Sequence, residues 1–381
     1  MTGPIHMLKT WKIKRELRRF KVQTLEIMHL ASGNRNRARY DREERPKVVT
    51  TLGDAAALPD MAILLIYQPK ALLNSLFLTL EHLNEQGVSV LLVANHTLSS
   101  ADIDRLRPHC HLIVQRPNIG YDFGGYREGM LTLFDRGITP ETLFVLNDSV
   151  WFPLARTCTL IQQAKAAPED VFGIFRNTKN KDVKHHHLQS YFYRFKKNVI
   201  KDPQFQNFWR TMPFFDTKRL IVRQFEVKLT GRLSSMGFSI GSRLTPPDVE
   251  AAGLGLSDDE LLEVAAYHRQ ATLRGRAIFE KMVELTPDDP DWGPTRTKAI
   301  TDSRFKYYLI DAHPIMLFKY LDVPFLKKSR EYHYYSQRDA VIAGGFHTGF
   351  DPIIQAEVLG WNASGVAGKP NDDSFPPIPA R

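Results

Sequence analysis

The sequence predicts an α/β protein with a mostly parallel sheet flanked by helices. From about residue 60, short aliphatic runs alternate with helical stretches, which is typical of parallel strands joined by crossover helices. With 381 residues, 43% of them hydrophobic, the chain is long enough to bury a substantial core. Its longest apolar runs are much shorter than the roughly 20 residues of a membrane-spanning helix, so we expect no transmembrane segment.

The predicted elements follow one another in a regular order. We expect strands over residues 61–67, 88–95, 111–115 and 142–146, with helices over 70–86, 100–106 and 124–136. Further along, helices are expected over 154–166, 203–211, 217–236 and 258–285, and strands over 171–176 and 188–195. Ser257 followed by three acidic residues is the pattern of a helix amino terminus.

Most of the positive charge lies at the amino terminus. Residues 1–45 hold twelve Lys or Arg and five acids, which accounts for +7 of the net charge of +9. Apolar residues recur at helical spacing from Ile13 to Met28, so the segment predicts a basic amphipathic helix. Such a helix either lies on an anionic membrane surface or docks on the body of the protein, and the pattern fits both. Its aromatic residues are not interleaved with the cations, so no nucleic-acid partner is expected.

The chain divides into four predicted regions. Residues 1–45 form the basic segment, 58–245 a nucleotide-binding core, 246–330 a helical region that completes it, and 331–381 an extension with a loose tail rich in Pro and Gly. The amino terminus lacks the pattern of a secretory signal, and only two cysteines are present, Cys110 and Cys158. We therefore expect a cytoplasmic protein, with the inner-membrane surface as a possible partner.

A glycine-rich turn connects the third predicted strand to a helix. It contains Asn118, Gly120, Tyr121 and Asp122, with further glycines at 124 and 125. Glycines allow a ligand to approach the backbone, and a helix amino terminus offers unpaired N–H groups to phosphate oxygens. Many such turns serve only the fold, but Asn118 and Asp122 are not needed to make the turn. The turn is therefore a candidate phosphate site.

The fourth predicted strand ends abruptly in three polar residues, Asn147, Asp148 and Ser149. A carboxylate at this position can bind Mg²⁺ or Mn²⁺, and the cation can bridge to a diphosphate. A simple Asn-Asp turn explains the same residues equally well. In parallel sheets, ligands bind beyond the carboxyl ends of the strands, where both this segment and the glycine-rich turn are expected.

The order of these motifs resembles A-type glycosyltransferases, which have a Rossmann-like sheet, and more closely the rhamnan synthesis F family of polysaccharide-assembly proteins. The supporting segments are residues 118–124, 146–150, 187–192 and 225–230, then His313-Pro314 followed by residues 324–328. The resemblance implies transfer of a deoxyhexose, most simply rhamnose from dTDP-rhamnose, onto a lipid-linked or growing cell-surface polysaccharide. A scaffold without catalysis, in a polysaccharide assembly complex, is the alternative.

The resemblance also implies which residues bind the donor. They are Asn95, Asn118, Gly120, Tyr121, Asp122, Asn147, Asp148, Ser149, His187 and Gln189. The family's Asp-x-Asp metal motif appears here as Asn147-Asp148-Ser149, with a single carboxylate. Asp148 is therefore the candidate metal ligand, with Asp122 as a possible second acid from the neighbouring turn.

Inverting transfer requires a base that takes the proton of the acceptor hydroxyl. Glu226 resembles the acid that precedes the acceptor-side helix in A-type enzymes, and Asp122 is the second catalytic candidate. A solvated ion pair is the ordinary alternative for Glu226. Lys327 and Lys328 contact the diphosphate or a lipid-linked acceptor, or else belong to a solvated surface, which is the ordinary case for lysines.

Overall fold

A computed structural model of the chain describes residues 28–178, 186–271, 276–302 and 314–363. The helix expected over residues 13–28 therefore lies outside the described residues, except for its last position. The strands are β1 (Val49–Leu52), β2 (Asp60–Ile66), β3 (Val88–Ala94), β4 (Leu112–Gln115), β5 (Thr142–Asn147), β6 (Val150–Trp151), β7 (Val171–Asn177), β8 (His187–Leu188), β9 (Phe192–Lys196), β10 (Ile240–Leu244) and β11 (Leu326–Lys327).

Helices lie on both faces of the sheet. They are α1 (28–43), α2 (Asn74–Glu85), α3 (Ser100–Leu106), α4 (Tyr121–Asp135), α5 (Leu160–Ala166), α6 (Lys197–Lys201), α7 (Pro203–Thr211), α8 (Lys218–Ile221), α9 (Val227–Ser235), α10 (Pro246–Gly255), α11 (Asp258–Ala271), α12 (Arg276–Glu284), α13 (Trp292–Thr301), α14 (Tyr332–Ala343) and α15 (Pro352–Ala363). A π turn, Val222–Glu226, joins α8 to α9.

The prediction of a mixed α/β fold with a mostly parallel sheet is confirmed. The main sheet has the strand order β1-β4-β3-β2-β5-β9-β7-β10, with β8 added beside β7. Strands β4, β3, β2 and β5 are mutually parallel, and β7 and β10 are parallel to each other. Because β9 is antiparallel to both β5 and β7, these six strands all run in one direction.

Alternation of side chains along β2 fills a core on each face of this sheet. Ala62, Leu64 and Ile66 join the cluster on one face. Met61 and Ile63, with Leu65, join the cluster on the other. A strand buried on both faces appears in sequence as an uninterrupted apolar run, and residues 61–66 of β2 form such a run.

Helix α4 lies unusually close to β2, and this closeness positions the turn before it. Side-chain atoms of Leu65 lie 2.3 Å from the place a Cβ would occupy at Gly125. One turn along the helix, atoms of Ile63 lie 2.7 Å from the corresponding place at Gly129. The two glycines therefore set the separation of helix and strand, and with it the position of the carboxyl end of β2 relative to the start of α4.

The long helix expected over residues 258–285 is instead two helices. The rings of His268 in α11 and Phe279 in α12 stack with their centroids 4.3 Å apart. In one continuous helix, eleven residues would separate them by roughly 16 Å along the axis. The expected amino terminus of α11 is confirmed, because the Ser257 hydroxyl accepts the Glu260 backbone N–H at 3.3 Å.

Other helix boundaries also differ from the prediction, including the start of α2, which lies at Asn74 instead of residue 70. The helix expected from residue 154 begins only at Leu160. The carbonyl of Leu154 accepts the Asp351 backbone N–H at 2.7 Å instead of bonding within a helix. Helix α4 begins at Tyr121, three residues before its expected start, because Gly120 adopts a left-handed conformation with φ +80° that ends the turn there.

Helices α14 and α15 form a third apolar cluster around Trp151 of β6. Strand β11 pairs with β6, so the chain near residue 327 returns to the end of β5. At the other end of the chain, α1 packs on the body through buried Tyr40. Its Asp41 carboxylate receives two bonds from the Arg127 guanidinium, at 2.7 and 2.9 Å. Within the described residues, no helix is long and apolar enough to cross a bilayer.

Candidate active site

The site lies where the carboxyl ends of β2, β3, β4 and β5 meet. Register pairs Leu65 with Asn147, and Ile66 with Ala94. The residues that follow these strands therefore lie side by side, as expected for a parallel sheet. Here the structure brings together the acids Asp122, Asp148 and Glu226, which come from three separate segments.

Asp148 is fixed through one of its two carboxylate oxygens. Its Oδ2 accepts the backbone N–H of Tyr67 and the side-chain amide of Gln68, both at 3.0 Å. Among the described residues, no hydrogen bond reaches its Oδ1. The oriented carboxylate therefore has one oxygen available for a ligand or a cation.

Asp122 accepts no hydrogen bond from the described residues, and its side chain remains open to solvent. Protein surrounds it on its other sides, and the resulting loss of hydration raises the pKa of its carboxyl. The charge of Lys327 opposes that shift, as does Lys218, whereas Asp148 and Glu226 reinforce it. Asp122 thus lies among the charged groups of the site.

Glu226 is presented by the π turn between α8 and α9. Its Oε2 accepts the hydroxyl of Ser190 at 2.6 Å. Turns of this kind are frequent at functional sites because they redirect a side chain within a helix. Glu226 and Asp122 also interact electrostatically. Glu226 therefore lies within electrostatic reach of Asp122, on the side of Ser190.

Tyr126 connects the segment that precedes β9 to the end of β5. Its hydroxyl donates to the carbonyl of Ser190 at 2.8 Å and accepts the Asn147 amide at 2.8 Å. Burial raises the pKa of the Tyr126 hydroxyl well above its ordinary value, so it keeps the proton that it donates. Tyr126 was not among the site residues predicted from sequence, although its position four residues after Asp122 places both on one face of α4.

Asn147 and Ser149 form a tight turn around Asp148. The Asn147 Oδ1 accepts the backbone N–H of Ser149 at 3.1 Å and also its hydroxyl. Lys327, paired to this segment through β11, donates to the Ser149 Oγ at 3.3 Å. Lys327 therefore lies in the site, next to Ser149 and within electrostatic reach of Asp122.

Asn95 supports the glycine-rich turn through hydrogen bonds. It is buried, and its amide donates to the Asn118 Oδ1 at 3.3 Å and to the Tyr121 carbonyl at 3.4 Å. The Arg116 guanidinium donates to the Asn95 Oδ1. Its polar atoms are thus engaged within the protein. At the same strand ends, the ring of Tyr67 is 53% exposed and accessible to a ligand.

The remaining predicted donor residues line the rim of the site. Asn118 is exposed, Gly120 is buried, and the ring of Tyr121 is 40% exposed. His187 and Gln189 are half-buried on either side of buried Leu188, but β8 ends at Leu188, so Gln189 follows the strand instead of lying within it. The buried Gln189 Oε1 has no hydrogen-bond partner among the described residues. It is an acceptor for which a ligand hydroxyl is a suitable partner.

The carboxylates of the site provide only some of the ligands that a divalent cation such as Mg²⁺ requires. Within the described residues, no three His, Cys, Asp or Glu side chains converge on a metal position. Mg²⁺ commonly takes only one or two protein carboxylates, with water and phosphate oxygens completing its shell. The free Oδ1 of Asp148, together with the unbonded carboxylate of Asp122, matches that smaller requirement.

Comparison with known protein families identifies the family of this chain. The family model described as rhamnan synthesis protein F matches residues 90–282, half of the chain, which includes Asp122, Asp148 and Glu226. The chain belongs to the rhamnan synthesis protein F family. Membership supports a glycosyltransferase of polysaccharide synthesis.

Two relatives are similar to different parts of this chain. Uncharacterized protein y4gN of Sinorhizobium fredii is 41% identical over 359 residues, which is 94% of this chain and 93% of y4gN. Virulence protein VirA of Vibrio anguillarum is 32% identical over 124 residues, covering 32% of this chain and 38% of VirA. The similarity to y4gN thus extends well beyond the residues of the family model.

Two solved structures show a weak likeness. One is a putative nucleotide-diphospho-sugar transferase from Desulfovibrio desulfuricans, 11% identical, with a TM-score of 0.30 over 49% of this chain and 80% of that one. The other is the mannosyltransferase PcManGT from Pyrobaculum calidifontis in complex with GDP-Man and Mn²⁺, 12% identical, with a TM-score of 0.32 over 90% of each chain. At these TM-scores, the likeness identifies neither the ligand nor the reaction of this chain.

Proposed function

We propose that the chain transfers a sugar from a nucleotide-sugar donor to a glycan acceptor, with the donor diphosphate bound between Asp122, Asp148 and Lys327. The observation that carries this proposal is the convergence of these groups at the carboxyl edge of a parallel sheet. Lys327 is 205 residues from Asp122 in sequence. A structural turn needs no such cation, whereas a diphosphate leaving group does.

The finer assignment rests on family membership. The donor is dTDP-rhamnose or a related activated deoxyhexose, and the acceptor is a lipid-linked or growing cell-surface polysaccharide, such as an O-antigen, a capsule or a rhamnan. His187 and Gln189 are proposed to bind sugar hydroxyls. The Gln189 Oε1, which has no hydrogen-bond partner among the described residues, supports this proposal.

In the inverting reaction we propose, the acceptor hydroxyl attacks the anomeric carbon as the bond from that carbon to the phosphate oxygen breaks. Glu226 takes the proton of the attacking hydroxyl, and Ser190 holds the Glu226 carboxylate in place. The nucleoside diphosphate departs with the bonding electron pair. Lys327 stabilises the negative charge that develops there.

A divalent cation, Mg²⁺ or Mn²⁺, would be held by Asp148 and Asp122, and would supply additional positive charge to the diphosphate. If so, EDTA should reduce the thermal stabilisation that the nucleotide-sugar produces, and either cation should restore it. If the nucleotide-sugar stabilises the protein fully in the presence of EDTA, positive side chains such as Lys327 are sufficient to bind the diphosphate without a metal.

A screen of nucleotide-sugars by thermal denaturation tests the proposed function. A donor present at 100 times its Kd stabilises the folded state by about 2.7 kcal/mol, so a shift of a few degrees is expected. Slow release of nucleoside diphosphate by the purified protein would then separate the enzyme from a scaffold without catalysis. Binding of the donor without any hydrolysis or transfer would favour the scaffold. The sequence feature that supports a scaffold is Asn147, which replaces the first acid of the Asp-x-Asp metal motif.

Of the basic segment at residues 1–45, the part that precedes α1, residues 1–27, is proposed to contact the cytoplasmic face of the inner membrane. Its cations would each contribute on the order of 1 kcal/mol to binding an anionic surface. Flotation with anionic vesicles, comparing the full chain with a variant that lacks these residues, measures this. Equal flotation of the two proteins would contradict it.

A further inference from the structure

Lys328 is a buried cation beneath the donor site. Its side chain is only 8% exposed, and its ammonium lies 5.7 Å from the centroid of the Trp151 ring. Its backbone N–H donates to the Ser149 carbonyl at 2.9 Å, which places Lys328 directly beside the segment that carries Asp148. Lys328 and Asp148 line the same small internal cavity, together with Asn147 and Thr79.

This ammonium is poorly compensated. Of its three N–H donors, one reaches an acceptor among the described residues, the Ser75 hydroxyl at 3.1 Å. No carboxylate of the described residues lies within ion-pair distance of it. Burial lowers the pKa of Lys328, and the negative charges of Asp148 and Glu357 oppose that shift. A buried charge without a close partner costs stability, and an apolar side chain of similar length would avoid that cost.

The carboxyl-terminal helix holds this arrangement in place. Glu357 of α15 accepts the backbone N–H of Ser75 at 2.7 Å through Oε1, and the indole N–H of Trp151 at 2.8 Å through Oε2. Glu357 therefore connects the residue that bonds the Lys328 ammonium to the ring that the ammonium lies over. A helix more than 200 residues from β5 in sequence thus determines the surroundings of a charge beside the donor site.

From these contacts we propose that Lys328 is a positioning residue for donor binding. It is a positive charge, held by the Ser75 hydroxyl and the Trp151 ring that Glu357 positions, and it attracts the diphosphate bound beyond Asp148. Inside a protein such a charge acts over several ångströms because little water screens it. This inference rests on the proposed function, and it adds α15 to the parts of the chain on which donor binding depends.

Lys328→Met tests the inference, because methionine keeps the length of the side chain and removes its charge. We expect the Kd for the nucleoside diphosphate to rise about tenfold or more, and the Kd for the uncharged nucleoside to stay near wild type. The Tm of the protein without ligand should be unchanged or higher, since a buried charge has been removed. The matched control is Lys298→Met, at an exposed position of α13, which should change neither constant.

Glu357→Gln provides a second test that keeps the lysine. Glutamine can still accept the Ser75 N–H, but its amide cannot satisfy both donors, so a smaller, several-fold loss of nucleoside diphosphate affinity is expected. Glu85→Gln, at an exposed position of α2, is its control.

Equal weakening of nucleoside and nucleoside diphosphate binding would overturn the inference, because it would reveal a merely structural role. Unchanged diphosphate affinity in both variants, with a wild-type protein that binds the donor, would overturn the inference alone. A wild-type protein that binds no nucleotide-sugar and no nucleoside diphosphate would overturn the proposed function together with it.

Discussion

Replacing Glu226 by glutamine is expected to slow sugar transfer about 10²–10⁴-fold while leaving donor affinity near wild type, because a positioned base contributes a factor of this size. Glutamine keeps the shape of the side chain and can still accept the Ser190 hydroxyl, so the π turn should be preserved. Removing this negative charge should also lower the pKa of Asp122, since Glu226 is one of the charges that raise it. Single-turnover kinetics and donor titration together measure the effect.

Asp122→Asn is the comparison that assigns the roles of the two acids. If Asp122 helps to bind the donor or its cation, the variant should lose donor affinity as well as turnover. The opposite result would assign the base to Asp122. In that case Glu226→Gln would transfer sugar at a near-normal rate, whereas Asp122→Asn would lose turnover severely without losing donor affinity. The raised pKa of Asp122 is compatible with that role, so both variants are needed.

Local patterns in the sequence were sufficient to predict the central part of the fold. The alternation of apolar runs and helical stretches identified β2 to β5 and α2 to α4 within a few residues of their observed ends. The division of 258–285 into two helices was not predicted, because α11 and α12 continue the same helical periodicity. What separates them is the packing of His268 on Phe279, a contact that periodicity does not encode.

The candidate site was only partly predictable for a related reason. Asp122 and Asp148 follow strands whose carboxyl ends must share an edge of the sheet, so sequence placed them together. Lys218 and Lys327 reach the same site from segments whose spatial position depends on tertiary packing. The pairing of β11 with β6, which brings Lys327 to Ser149, involves only two residues on each strand. A two-residue strand has no detectable pattern.

Asn95 illustrates the opposite case, a residue predicted from sequence to bind the donor whose side chain is hydrogen-bonded within the protein. A polar residue directly after a buried strand is a plausible ligand from sequence, and Asn95 remains a predicted donor residue. Its contacts with Arg116, Asn118 and Tyr121 instead show how the turn is supported. Distinguishing a polar residue that faces a ligand from one that supports a loop requires knowing which groups lie behind it.

Within the glycine-rich turn, Gly124 is the glycine at which an added Cβ would come closest to another atom. A Cβ at Gly124 would lie 2.2 Å from the Ile119 carbonyl oxygen and 3.1 Å from the Arg116 Nη2. The same carbonyl accepts the Arg116 guanidinium at 2.6 Å. Gly124→Ala must therefore displace backbone and disturb the bond that Arg116 makes, in a turn that begins α4 and carries Asn118 and Gly120.

We expect Gly124→Ala to lower the free energy of unfolding by about 1–3 kcal/mol, the usual cost of overpacking. Because the turn presents the donor residues, kcat/KM should fall by about 10²-fold as well, as expected for a displacement on the order of 1 Å. Gly360→Ala, at an exposed position of α15 where the added Cβ would have no atom within 4 Å apart from its chain neighbours and its own helix, is the matched control. It should stabilise the protein by up to about 1 kcal/mol, because alanine favours helix, and should leave transfer unchanged. Urea denaturation and steady-state kinetics of the two variants measure both effects. If Gly124→Ala loses stability but retains full transfer, the glycine serves packing alone and the turn does not bind the donor.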